Sequence, residues 1–138
     1  MTNRINYICF ADDDADDHFI FSTALKEVFP SIILTAFLHC DDLLDYLNDD
    51  SKLLPDIIFL DYNMPGNDGN KCLRMIKKTA RILNVPVIIY STSDYQKIID
   101  ESYKLGAIKY IVKPSSFAEV RDTLKEVIAG FETANSNH

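Results

Sequence analysis

Residues 55–70 read PDIIFLDYNMPGNDGN, and the two halves of that stretch behave differently. Ile57, Ile58, Phe59 and Leu60 are consecutive and apolar, with none of the polar alternation of a half-exposed strand. Such a run after Pro55 predicts a short strand covered on both faces, the condition of strands in a parallel sheet. The second half, NMPGNDGN, is turn-forming and leads to a helix through Leu73, Met75, Ile76 and Ile82. Asp61 stands at the junction, a carboxylate at the carboxyl end of a buried strand.

The same unit recurs in both directions along the chain. Residues 5–11 form an apolar run ended by acids, and residues 15–29 carry Phe21, Ala24, Leu25 and Val28 at helical spacing before Pro30 stops the helix. Residues 31–38 (SIILTAFL) are β-branched and apolar, and 41–47 place Leu43, Leu44 and Leu47 on one side of a short helix. Beyond the central unit, PVIIY at 86–90 precedes a helix over 94–105 with Gly106 at its C-terminal cap. Residues 108–112 then lead to a last helix in which Phe117, Val120, Leu124, Val127 and Phe131 keep a three-to-four-residue period. Five strand–helix pairs predict a doubly wound α/β domain, a parallel sheet between two layers of helices, because each parallel connection must cross a face of the sheet.

A chain of 138 residues, 47% hydrophobic and 11% aromatic, suits one domain over 1–138, with a core over about 5–132 and a short frayed tail at 135–138. A formal charge of -7 without a basic stripe argues against a nucleic-acid partner, since phosphate backbones are bound by Lys/Arg patches. Cys9, Cys40 and Cys72 are odd in number, far apart and without C-x-x-C spacing, so they read as buried thiols in a reducing cytosol rather than a disulfide framework or a zinc site. No stretch has the length of a membrane span and the first seven residues lack a signal-peptide pattern, so a cytoplasmic protein is expected.

In doubly wound sheets ligands bind beyond the carboxyl ends of the strands. Here those ends carry Asp12-Asp13-Asp14, Asp61, Ser91-Thr92 and Lys113-Pro114. Carboxylates crowded at one rim repel one another and favour a hard divalent cation, which suits Mg²⁺ with its demand for oxygen ligands. Helix capping accounts for Asp14, Asp16 and Asp17, but not for Asp61, which ends a different strand. An EF-hand loop starting at Asp12 fails, because its sixth position would be Asp17 and its twelfth Thr23. Lys113 can reach the rim to pair with a carboxylate or a phosphoryl oxygen, and the Ser91 hydroxyl can donate to one. Four strand ends thus bring together groups suited to phosphoryl transfer.

ADDD at 11–14, PDIIFLDYNMPGNDG at 55–69, PVIIYST at 86–92 and GAIKYIVKP at 106–114, in this order and spacing, resemble the receiver domains of two-component response regulators over nearly the whole chain. The resemblance implies a flavodoxin-like (βα)5 fold with strand order 2-1-3-4-5. It implies that Asp61 accepts the phosphoryl group, and that Asp13, Asp61 and the main-chain carbonyl of Asn63 ligate Mg²⁺, with Asp12 acting largely through water. By the same resemblance Ser91 and Lys113 grip the phosphoryl oxygens and Tyr110 is an aromatic switch. It further implies a sensor histidine kinase or histidine phosphotransfer protein as donor. A separate downstream protein, or a second copy of the chain, would read the face of helix four, strand five and helix five. Two rivals share the rim. A haloacid-dehalogenase-type phosphatase resembles a DxD pattern, where this chain has Asn63, and a flavodoxin-like flavin site wants a Ser/Thr/Gly-rich turn where this chain has ADDDADD.

Overall fold

Five short apolar runs resolve into one parallel sheet in the computed structural model, which describes residues 4–64 and 68–136. The strands are β1 (Tyr7–Ala11), β2 (Ile33–Phe37), β3 (Ile57–Leu60), β4 (Val87–Ser91) and β5 (Lys109–Val112). Each is followed by a helix: α1 (Ala15–Val28), α2 (Cys40–Leu47), α3 (Gly69–Lys77), α4 (Gln96–Lys104) and α5 (Phe117–Ser136). The sheet order is β2-β1-β3-β4-β5, as the resemblance implies, with every pair parallel, as the alternation of strands and helices predicts. Every residue of β1, β3 and β4 is buried, which explains why these strands show continuous apolar runs. The edge strand β2 leaves Ile33 exposed at 63%. The other edge strand, β5, has a main-chain donor satisfied from outside the sheet: the Tyr110 N–H donates to the Tyr103 hydroxyl of α4 at 2.9 Å.

Two cores lie on the two faces of the sheet. One holds Phe10, Phe21 and Phe59 with Leu25 and Leu124 from α1 and α5. Phe10 stacks on Phe21 at 4.3 Å between ring centroids, and Phe21 meets Phe59 edge-on at 5.0 Å. Each ring is fully buried, a contribution of roughly 1.5–3 kcal/mol apiece from apolar area alone. The other core gathers Leu43, Leu47, Leu73, Ile76 and Val87 under α2 and α3.

Three expectations are corrected. The helix predicted to run through Ile82 stops at Lys77, where the Lys78 N–H closes onto the last carbonyls and the Thr79 hydroxyl donates to the Met75 carbonyl at 3.0 Å. Ile82 is buried all the same, carried by turns rather than by a fourth helical turn, so its apolar spacing imitated helix. Asn135 and Ser136, expected in a frayed tail, continue α5, while 137–138 lie outside the described residues. Cys40 and Cys72 are not separate thiols. They form a disulfide with their Cα atoms 6.0 Å apart, 32 positions apart in the chain, and only Cys9 is a free cysteine. Successive crossovers place α2 and α3 side by side on the same face, and this juxtaposition has no counterpart in linear spacing.

Gly69 opens α3 directly against the end of β3. Its N–H donates to the Tyr62 carbonyl at 2.7 Å, and a Cβ there would sit 2.5 Å from the Asp61 carbonyl oxygen and 2.7 Å from the Tyr62 Cα. Those neighbours are backbone and cannot turn away, so Gly69→Ala is expected to cost about 1–3 kcal/mol of stability, read as a lower urea midpoint. An unchanged midpoint would show that the Asp61 corner yields freely.

Candidate functional site

The rim at the carboxyl ends of the strands is assembled by main-chain pairing before any side chain acts. The Asp12 N–H donates to the Phe37 carbonyl at 3.0 Å and the Asp61 N–H to the Ala11 carbonyl at 2.9 Å, so both acids extend the ladders of β1 and β3 by one position. The Lys113 N–H donates to the Ser91 carbonyl at 2.8 Å and does the same at β5. Strand pairing therefore brings together residues up to 101 positions apart, a separation no local pattern encodes.

Asp12 is fully buried, Asp61 is 4% exposed and Asp13 is exposed, and carboxylate oxygens of the three lie within 4.8 Å of one another. The donor set is all oxygen, with no thiolate or imidazole, and this chemistry fits a hard divalent cation. Turn amides hold the carboxylates in place: the Asp14 N–H donates to Asp12 Oδ1 at 2.9 Å and the Asn63 N–H to Asp61 Oδ1 at 3.3 Å. The Asn63 side-chain amide lies 3.4 Å from Ser91 Oγ, linking the corner after β3 to the end of β4. Ser91 is fully buried, and its hydroxyl accepts from the Ser93 N–H at 3.3 Å.

Lys113 delivers its ammonium into the acids. Its Nζ donates to Asp12 Oδ2 and to Asp17 Oδ2, each at 2.7 Å, and stands 3.4 Å from Asp61 Oδ2, with its side chain 9% exposed. The Tyr90 ring lies beneath it, 5.8 Å from Nζ to the centroid. Burial pushes the Asp12 carboxyl up to about 7, against the opposing pull of its hydrogen bond from Lys113. Burial also works against the Lys113 ammonium, but the hydrogen bonds to Asp12 and Asp17 outweigh it and hold the lysine above its usual range. One ammonium thus serves a cluster with more acids than it can neutralise.

Tyr110 is half-buried on β5, its hydroxyl donating to the Ser93 carbonyl at 2.7 Å and its ring packed against the α2–α3 core. Every site residue named from the sequence is therefore at the rim, except that Tyr110 reaches it through the loop after β4. Pro65, Gly66 and Asn67 of the DYNMPGNDG motif lie outside the described residues. Asp17, for which the sequence predicts helix capping, accepts instead from Lys113. No local signal marked this contact, because it joins residues 96 positions apart in the chain.

Residues 8–125 match the family described as the response regulator receiver domain. The sporulation initiation phosphotransferase F of Bacillus subtilis is 32% identical over 113 residues, covering 82% of this chain and 89% of that protein. The probable methanogenesis regulatory protein FilR2 of Methanothrix harundinacea is 31% identical over 87 residues, and the match spans 61% of this chain but only 56% of that longer protein. Among solved structures, the phosphorylated cyanobacterial phytochrome response regulator RcpA superposes with a TM-score of 0.80 at 26% identity, covering 89% of this chain and 91% of its own. The Mn²⁺-bound form of response regulator Rcp1 superposes at 0.82 over 92% and 94% of the two chains, with 21% identity, and shows the shared fold.

Proposed function

The chain belongs to the response regulator receiver family of two-component signalling, and on that premise we propose that residues 1–138 form one receiver domain that accepts a phosphoryl group on Asp61. The family is one of signalling domains rather than enzymes acting on a separate substrate, and the family match leaves the phosphatase and flavin readings without support. The observation that carries the proposal is the surroundings of Asp61. A carboxylate at the end of a buried strand has Asp12 and Asp13 oxygens within 4.8 Å and a lysine ammonium at 3.4 Å.

In this reading an Asp61 carboxylate oxygen attacks the phosphorus of a phosphohistidine or a small acyl phosphate. A P–O bond forms at Asp61, the bond to the donor breaks, and its electron pair leaves with the donor. Asp12, Asp13, Asp61 and the Asn63 main-chain carbonyl would hold Mg²⁺, and response regulator Rcp1, which shares the fold, has a Mn²⁺-bound form. The ion's contribution when bound is to offset charge on the phosphoryl oxygens. Lys113 and the Ser91 hydroxyl supply the protein's own donors to those oxygens. The donor would be a sensor histidine kinase or a histidine phosphotransfer protein.

The signal would leave through α4, β5 and α5. Ser91 and Ser93 border the loop after β4, and Tyr110 is tied to that loop by its hydroxyl. A phosphoryl group that draws Ser91 inward moves the loop and its tyrosine together. Around them Tyr95, Tyr103, Ile108 and Val112 are exposed at 69%, 47%, 55% and 44%, apolar surface suited to a protein partner or a second copy of this chain.

Incubation with acetyl phosphate and Mg²⁺ should add one phosphoryl group to the intact protein as an acid-stable, base-labile acyl phosphate. Absence of that adduct after complete removal of any prior label would overturn the reading. Asp13→Ala should weaken Mg²⁺ binding by roughly tenfold or more and slow labelling in step. Unaltered Mg²⁺ affinity in a titration would remove Asp13 from the ligand set.

A further inference from the structure

The Lys113–Asp17 contact has no part in the reading above. Asp17 lies on α1, outside the Asp12–Asp13–Asp61 cluster, yet it accepts from Lys113 Nζ at 2.7 Å, as closely as Asp12 does and more closely than Asp61 at 3.4 Å. The start of α1 does not need it. Asp14 is the N-cap and its side chain accepts from the Asp16 N–H at 2.8 Å. The Asp14 N–H, which an acid at the position of Asp17 could reach back to cap, already donates to Asp12 Oδ1. Charge balance does not need it either, because a further carboxylate beside three others adds repulsion that the single ammonium does not cancel.

We propose that Asp17 is a positioning residue that holds the Lys113 ammonium off the phosphoacceptor and competes with a phosphoryl oxygen for it. The proposal rests on Asp61 as the phosphoacceptor. An ammonium offers three N–H donors, and the two short hydrogen bonds engage two of them on Asp12 and Asp17. These two bonds fix Nζ 3.4 Å from Asp61 Oδ2, so drawing the ammonium closer to a phosphoryl group on Asp61 lengthens one of them. The Asp12 bond is between side chains 9% and 0% exposed, whereas the Asp17 side chain is 30% exposed, so water can replace the lysine there at the lower cost. Asp17 is then the contact that yields, and its strength sets how readily the phosphorylated state forms.

The test uses beryllofluoride with Mg²⁺ as the phosphoryl mimic, its dissociation constant read by NMR on the full chain. Asp17→Asn keeps the shape of the side chain and removes its charge. It should bind the mimic roughly fivefold more tightly, the scale of one charge-assisted hydrogen bond at a partly exposed site. Asp17→Glu restores a carboxylate and should return affinity to the wild-type value. Asp16→Asn removes an equal charge from the same helical turn, without the lysine contact, and should leave affinity unchanged. Unchanged or weakened binding by Asp17→Asn overturns the proposal. So does equal tightening by Asp16→Asn, which would mark a general charge effect, or failure of Asp17→Glu to restore affinity in a variant whose thermal midpoint is unaltered. Failure of the wild-type protein to bind the mimic would instead overturn the phosphoacceptor reading beneath it.

Discussion

Asp61→Asn is expected to accept no phosphoryl group from acetyl phosphate, its labelling rate falling by at least ~10³-fold, the scale on which removal of a reacting group is felt. The amide has nearly the volume of the carboxylate, and the main-chain bond from the Asp61 N–H to the Ala11 carbonyl is untouched, so the corner after β3 keeps its shape. What is lost is the anionic oxygen that would attack phosphorus and one of the three carboxylates that would hold the cation. Far-UV circular dichroism and the urea midpoint should show a folded protein, separating loss of chemistry from loss of structure. Labelling of Asp61→Asn at the wild-type rate would place the acceptor elsewhere, and Asp12 or Asp13 would then have to be tested in turn.

Reduction of the Cys40–Cys72 bond is expected to lower the unfolding free energy by about 3–4 kcal/mol, the loop-closure value for a bridge of this span. The bond ties the first residue of α2 to the first turn of α3, and both sulfurs lie in the core beneath those helices. Urea unfolding with and without a phosphine reductant measures the difference, and the midpoint should fall on reduction. Thiol titration in denaturant supplies the count. Before reduction Cys9 alone should react, and afterwards all three cysteines should. Three reactive thiols in protein never exposed to reductant would show that the pair is not joined in solution. Because α3 also carries Gly69 against the Asp61 corner, reduction tests at the same time whether the α2–α3 tie supports the site: labelling of the reduced protein should slow where the corner loosens.

The elements that positioned most of the site were legible because their cause is local. β1, β3 and β4 are buried on both faces, so each appears as an unbroken apolar run, and the first polar residue after each run falls at the rim. Asp12, Asp61 and Ser91 are those residues, and Lys113 follows β5 in the same way. Boundaries shifted by one or two residues at most strand and helix ends, where pairing rather than composition decides the last bond. The misreading of Ile82 has the opposite character: burial through a turn and burial along a helix leave the same apolar mark.

By itself the sequence determined the alternation of five strands and five helices, and with it the parallel sheet, because hydrophobic period and turn residues act over a few positions. It also determined which polar groups stand at the strand ends. Which of those groups touch was decided only by the tertiary structure. That Lys113 divides itself between Asp12 and Asp17, that Tyr110 hangs from Ser93 and Tyr103, and that Cys40 meets Cys72 all depend on crossovers that lay distant segments side by side. The physical reason is one of range. Backbone preference and burial pattern are set by near neighbours along the chain, whereas a hydrogen bond or a disulfide is chosen by distances of a few ångströms that exist only once the sheet has formed and its helices have packed.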